Sequence, residues 1–183
     1  MPRNIDRWPG SDRREARIID QLREAAMRNQ YRVLDYSVNQ AGVTAGVETT
    51  LFQTTIPANT FSRNGDSISF AGAVNYAATA SNKQVRLYFG GVNMYDTGSL
   101  AITTAEHMEF SGVMVRYGIS QYKFTLQLTG SVAALQGVGS YGTNNANSQV
   151  DNILKLTANG AFASDINGFI WHVAYLPTST PNG

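Results

Sequence analysis

The 183-residue chain has no cysteine, only two histidines and five prolines, and few charges outside its first segment. Without cysteine there is no disulfide framework and no thiolate metal site. A chain of this length does not need such staples, because one domain of ordinary size can bury a full core. No stretch approaches the ~18–20 consecutive apolar residues of a membrane-spanning helix. No apolar run follows Met1-Pro2-Arg3-Asn4, so the sequence predicts neither a secretory signal nor a membrane as partner. G-x-S-x-G, the P-loop and H-E-x-x-H are all missing, and the G-x-G-x-x-G spacing of Gly137, Gly139 and Gly142 opens no predicted helix, so it supports no phosphate cradle.

The charge that exists is unevenly placed. Eight of the fourteen basic residues (Arg3, Arg7, Arg13, Arg14, Arg17, Arg23, Arg28 and Arg32) lie in the first 32 positions. Five acids (Asp6, Asp12, Glu15, Asp20 and Glu24) lie among them, which leaves six basic and eight acidic residues for the rest. Net charge is +1. A near-neutral chain with acids interspersed among its arginines lacks the field that phosphate backbones require, which argues against nucleic acid as a partner. The arginines have three readings: a solvated helix face paired internally, a dock for an acidic protein surface, or a nucleic-acid contact.

Pro2, Pro9 and Gly10 predict an extended arm over residues 1–10, carrying Trp8. That tryptophan either folds back on its own body or anchors the arm to a partner. Asp12 with Glu15 three residues on forms a capping box, with Ser11 and Arg14 as a weaker frame. A helix is predicted behind it. Its apolar stripe is narrow (Ile18, Ile19, Leu22, Ala25 and Ala26), and such a helix is marginal alone in water. It needs a partner surface: the body, the same helix of a second copy, or a larger assembly. Residues 31–41 read as transitional, and Gly42 and Gly46 as a linker. This divides the chain into an attachment segment, 1–46, and a body, 47–183.

In the body the apolar period becomes two. Strands are predicted at 47–56, 67–74, 85–89, 92–95, 108–117, 122–129, 132–135, 153–156 and 169–176, with turn signals between them. Phe124, Leu126 and Leu128 alternate with Lys123, Thr125, Gln127 and Thr129, the one-face-in pattern of an antiparallel sheet. Val113, Val115 and Tyr117 lie on one face of their strand, with Met114 and Arg116 on the other. The expected core is Leu51, Ile68, Phe70, Val85, Leu87, Phe89, Val113, Val115, Phe124, Leu126, Leu128, Ile153, Leu156, Ile170 and Val173. The fold class is all-β: an antiparallel jelly-roll β-sandwich preceded by an N-terminal arm and α-helix. Residues 137–147 read as a long polar loop, a place where recognition residues gather; Tyr141, Asn144, Asn145 and Asn147 are its candidate receptor contacts.

No catalytic site is predicted. Asp66, Asp96, Asp151 and Asp165 read as turn residues rather than a carboxylate pair. Glu106, His107 and Glu109 are opposed as a metal site by the alternation of side chains along a strand, so neither metal nor cofactor is expected. Tyr76, Tyr95, Tyr117, Tyr141 and Trp171 are candidate stacking platforms for a sugar.

Three blocks of the body carry a resemblance: Thr50-Leu51-Phe52-Gln53-Thr54-Thr55-Ile56-Pro57-Ala58-Asn59-Thr60-Phe61, Asn64-Gly65-Asp66-Ser67-Ile68-Ser69-Phe70-Ala71-Gly72, and Asn82-Lys83-Gln84-Val85-Arg86-Leu87-Tyr88-Phe89-Gly90. Together they resemble the start of jelly-roll domains in tailed-bacteriophage virion proteins such as head fibres, decoration proteins and tail-fibre tips. The resemblance implies a non-enzymatic structural protein of the virion: a homotrimeric fibre or capsid decoration protein whose partners are other capsid or tail proteins. Trp8, Arg3, Arg7, Arg13, Arg14 and Arg17 are then the candidate attachment residues. Ile18, Ile19, Leu22, Ala25 and Ala26 become the trimer stripe. The alternative is a carbohydrate- or receptor-binding tail-fibre tip module with a host-surface glycan as partner.

Overall fold

The computed structural model describes residues 32–38, 42–135 and 139–178. The arm and helix predicted over residues 1–31, with Trp8, the attachment arginines Arg3, Arg7, Arg13, Arg14 and Arg17, and the apolar stripe, lie outside the described residues. Eleven strands make up the described chain: β1 Arg32–Val38, β2 Thr49–Ile56, β3 Ser67–Tyr76, β4 Ser81–Phe89, β5 Val92–Asp96, β6 Leu100–Ile102, β7 Glu106–Gly118, β8 Gln121–Gly130, β9 Gly139–Asn144, β10 Asn152–Gly160 and β11 Ile166–Leu176. A 3-10 turn spans Ala133–Leu135, and there is no α-helix among the described residues. The strands form two antiparallel sheets. One has six strands in the order β1-β11-β3-β7-β8-β9; the other runs β2-β10-β4-β5, with β6 also on β4.

One hydrophobic core takes side chains from both sheets. Trp171 of β11 is fully buried and stacks on Phe52 of β2, ring centroids 5.5 Å apart and nearly parallel. Its indole N–H donates to the Thr54 hydroxyl (2.6 Å), which donates to Asp35 of β1 (2.6 Å). This polar chain satisfies the indole inside the core. Phe61, Phe89 and Tyr122 meet edge-on in a second aromatic group, with centroids 5.0–6.3 Å apart.

Glycine is used inside the larger sheet to make room for rings. Gly72 of β3 sits opposite Phe110 of β7, and Phe70 opposite Gly112, while Gly142 of β9 faces Phe124 of β8. A Cβ on Gly72 would fall 2.5 Å from the Phe110 ring, one on Gly112 2.4 Å from the Phe70 ring, and one on Gly142 2.8 Å from Phe124. Each ring therefore lies over its glycine neighbour, a close approach that only a residue without Cβ permits. Gly90 and Gly91 both have positive φ, as a two-residue turn between β4 and β5 requires.

The structure corrects several expectations. Residues 31–41 are not merely transitional: Arg32–Val38 form β1, an edge strand on β11. Asp35 in mid-strand and the exposed Val33, Tyr36 and Val38 hid the pattern. Residues 132–135 are not a strand. Val132 and Leu135 are both buried and three residues apart, which suits one turn of 3-10 helix rather than alternation. The supposed loop 137–147 contains β9, which meets the amides of β8; its glycines and polar residues mimic loop composition. The phase of β7 is opposite to the one expected. Met108, Phe110 and Met114 point into the core, while Val113 and Tyr117 are exposed and Val115 half-buried. The register explains this, since Met114 pairs with inward Phe124, and Val113 and Val115 pair with outward Thr125 and Lys123. Ile153 is likewise exposed and Ile170 half-buried, because Leu154 and Trp171 hold the inward positions. The other expected core residues are buried.

Candidate functional site

The turn acids are consumed by the fold. Asp66 accepts from the Arg63 amide (2.7 Å), the Thr178 amide (3.0 Å) and the Ser62 hydroxyl. Asp96 accepts from the Gly98 amide (2.8 Å), Gln84 and Arg86. Asp151 accepts from the Ala58 amide (2.7 Å). Asp165, fully buried, accepts from the Phe162 amide (2.8 Å) and the Ser81 (2.7 Å) and Thr79 hydroxyls. Burial pushes its carboxyl up, but those hydrogen bonds and the Lys83 charge outweigh it and hold the group below its ordinary value. Lys83, also fully buried, donates to the Thr79 (2.9 Å) and Ile102 (2.8 Å) carbonyls and the Ser81 hydroxyl. Among the described residues no cluster of three or more His, Asp or Glu is placed to hold a metal ion. His107 is exposed, and its amide donates to Ser131. Glu106 and Glu109 instead accept from Thr104 and Thr129. No described helix is long and apolar enough to cross a membrane.

The residues behind the resemblance are used structurally too. Asn59 sits at positive φ in the turn after β2, where Thr60 bonds back to the Pro57 carbonyl. Asp66 closes the next turn, and Lys83 ties β4 to β6.

The expected platforms separate into two groups. Trp171 and Tyr76 are buried and Tyr95 is half-buried, so these three belong to the core or its margin. Tyr117 and Tyr141 are exposed, Tyr141 at 87%. Of the loop candidates, Asn144 is buried: its amide donates to the Phe89 carbonyl (3.1 Å) and its oxygen accepts from the Ala146 amide (2.8 Å). Asn147 shapes a turn, accepting from the Gln149 amide (2.9 Å). Asn145 is exposed.

The outer faces of the two sheets differ in chemistry. On the five-stranded sheet Arg86 lies between Glu48 (2.8 Å) and Asp96 (2.9 Å), and Lys155 sits over the Tyr88 ring at 5.1 Å. The Thr157 hydroxyl, and after it Arg86, holds the Glu48 carboxyl below its ordinary value against partial burial. This is a solvated, charge-paired surface. The six-stranded sheet instead exposes Val33, Tyr36, Val38, Val113, Tyr117, Tyr141 and Phe169. At its centre two adjoining open hollows of about 420 Å³ each share Ala71, Ser111 and His172. The register builds their floor: Tyr36, His172, Ala71, Ser111 and Gln127 lie abreast on five consecutive strands. The hollows exist because β3 presents only Ser69, Ala71 and Ala73 outward at mid-strand, between inward Ile68, Phe70 and Val74. That small-residue phase was visible in the sequence, but the neighbouring strands that wall it were not.

No protein-family model matches the chain, and no curated protein matches it. Among solved structures the chain is similar to the CBM2 module of the evolved Dit of Lactobacillus casei BL23 phage J-1. Identity is 14%, over 80% of this chain and 95% of that one, with a TM-score of 0.32. A likeness this distant does not bear on what the chain binds.

Proposed function

We propose that this chain is a non-enzymatic structural protein of a tailed-phage virion: a homotrimeric fibre or capsid decoration protein with a jelly-roll body. The strand order carries the reading. A jelly roll is an eight-stranded double Greek key. With β6, β8 and β9 set aside, the remaining eight strands lie in the orders 1-8-3-6 and 2-7-4-5. That is the wrapping expected when a long hairpin folds over twice. The three sequence blocks that resemble phage jelly rolls fall on β2 to β4 and their turns, so resemblance and topology point the same way. The acids engaged in turns support a non-catalytic role.

The attachment segment is proposed to be what precedes β1. Of the 1–46 read from sequence, Arg32–Val38 and Gly42 pair with the chain at β11, which leaves residues 1–31 with Trp8 and the arginines. The exposed Tyr117 and Tyr141 favour a receptor-binding role for the same body.

Mass spectrometry and antibody labelling of purified particles test the assignment. The chain is expected in the virion, and its absence there would refute it. Light scattering should give a trimer, and a monomer at micromolar concentration would count against that part. Trp8→Ala should weaken docking to particles by roughly 2–4 kcal/mol while the melting temperature of the body stays unchanged. Normal occupancy after deletion of residues 1–31 would show that the anchor lies elsewhere.

A further inference from the structure

We propose that the hollowed outer face of the six-stranded sheet is a binding site for a neutral oligosaccharide. The site goes beyond the virion assignment, and its test is read separately from incorporation into particles.

Three features of the lining select the ligand. Ser69, Ser111, Thr125 and Thr129 offer hydroxyls, and Gln127 an amide. Each of these groups both donates and accepts, which is what a sugar hydroxyl, itself both donor and acceptor, needs for a matched pair. Aromatic rings stand round the floor. Phe169 lines one hollow at 51% exposure, Tyr36 (61%) lies opposite His172 in the register, and Tyr141 (87%) lies opposite Thr125. A sugar ring has an apolar C–H face that such rings accept, while its edge hydroxyls reach the polar floor. Formal charge is scarce: Glu109 is the one carboxylate in the lining, His172 the one imidazole, and no lysine or arginine lines either hollow. An anionic ligand such as a phosphate or a sialylated glycan would therefore find no lysine or arginine to pair with.

A second copy of the chain fits this face less well. Its side chains would have to fill two hollows floored by Ala71, Ser111 and Gly112 and satisfy the surrounding hydroxyls, since polar groups buried without partners are costly. The other face is more densely paired, with Arg86, Glu48, Gln84 and Thr157 bonded to one another.

The site is elongated across the strands. The hollows are lined by four adjacent strands, β11, β3, β7 and β8, about 14 Å at the usual ~4.8 Å spacing, with Tyr36 of β1 and Tyr141 of β9 on the flanking strands. An extended oligosaccharide should therefore bind better than a monosaccharide.

The test uses the full chain against malto-, cello- and galacto-oligosaccharides, N-acetylglucosamine oligomers and sialylated glycans. Titration calorimetry follows on the strongest hit. The expected result is a neutral oligosaccharide hit whose affinity falls at least about tenfold, or ~1.4 kcal/mol, in Ser111→Arg, which fills the floor from an exposed position. Gln127→Ala should also weaken it, and Gln53→Ala on the opposite sheet should not. If Ser111→Arg fails to fold, Gln127→Ala against Gln53→Ala decides. Any of three results would overturn the proposal: no neutral glycan bound at millimolar concentration, binding indifferent to the floor variants, or a change of oligomeric mass in Ser111→Arg, which would make the face a subunit interface.

Discussion

Gly72→Ala tests whether the glycine–phenylalanine pairs are as tight as the geometry says. The added Cβ would stand 2.5 Å from Cζ of Phe110 and 2.9 Å from the Ile170 carbonyl oxygen. The ring cannot simply swing away, because it packs against Trp171, centroids 6.0 Å apart. The carbonyl belongs to the neighbouring strand and cannot move without disturbing the ladder. Alanine in a strand interior gains about 0.5–1 kcal/mol over glycine from backbone entropy. Overpacking of a filled core costs about 1–3 kcal/mol. The net should be a loss of about 1–2 kcal/mol, which for a body of this size lowers the melting temperature by roughly 2–8 °C. Calorimetry on Gly72→Ala, Phe110→Leu and the double variant reads it. Removing the ring tip should absorb part of the cost and give a coupling of at least about 0.5 kcal/mol. If Gly72→Ala melts higher than the natural chain, or the two changes simply add, the close approach is not real.

Other substitutions probe the buried polar groups and the core. Lys83→Met should cost about 1–3 kcal/mol in urea denaturation, because it takes away the ammonium from which the Thr79 and Ile102 carbonyls accept; no loss at all would contradict the described network. Because the Asp165 carboxyl is held below its ordinary value in the fold, the unfolded chain takes up that proton first on acidification. Its stabilisation is therefore full above about pH 4 and is lost as pH falls through the lower folded value. The fall in melting temperature below that point should be shallower in Asp165→Asn than in the natural chain, and equal slopes would refute the linkage. Leu126→Ala, at a buried position facing the core, should cost about 2–5 kcal/mol, measured by urea denaturation.

Much of the fold was legible where local signals agree. In β8 a strict alternation runs from Tyr122 to Leu128, and in β4 Val85, Leu87 and Phe89 do the same; both strands lie where the pattern puts them. Legibility failed where a decision belongs to a neighbour. The phase of β7 is ambiguous alone, since Met108, Phe110 and Met114 compete with Val113, Val115 and Tyr117; only pairing with Phe124 and Leu128 settles it. β9 is hidden because Gly142, one of its two glycines, is there for a ring on another strand. The hollowed face was missed for the same reason. Ser69, Ala71 and Ala73 are unremarkable until β7, β8 and β11 close round them. Tyr141 was named from the sequence as a recognition residue, but its proposed companions come from strands up to about 105 positions away.

The strand order also sets when the molecule can fold. β10 and β11 are the last strands of the body, yet neither lies at an edge: β10 sits between β2 and β4, and β11 between β1 and β3. While the chain emerges from the ribosome, β1 and β2 have no neighbour to pair with until residues 152–176 have been made. Until then β1, β2, β3 and β4 present open edges, the condition under which nascent chains pair with one another. Loss of the last strands during synthesis or proteolysis would not trim the structure. It would cut β1 and β2 off from both sheets at once and leave β3 and β4 as open edges.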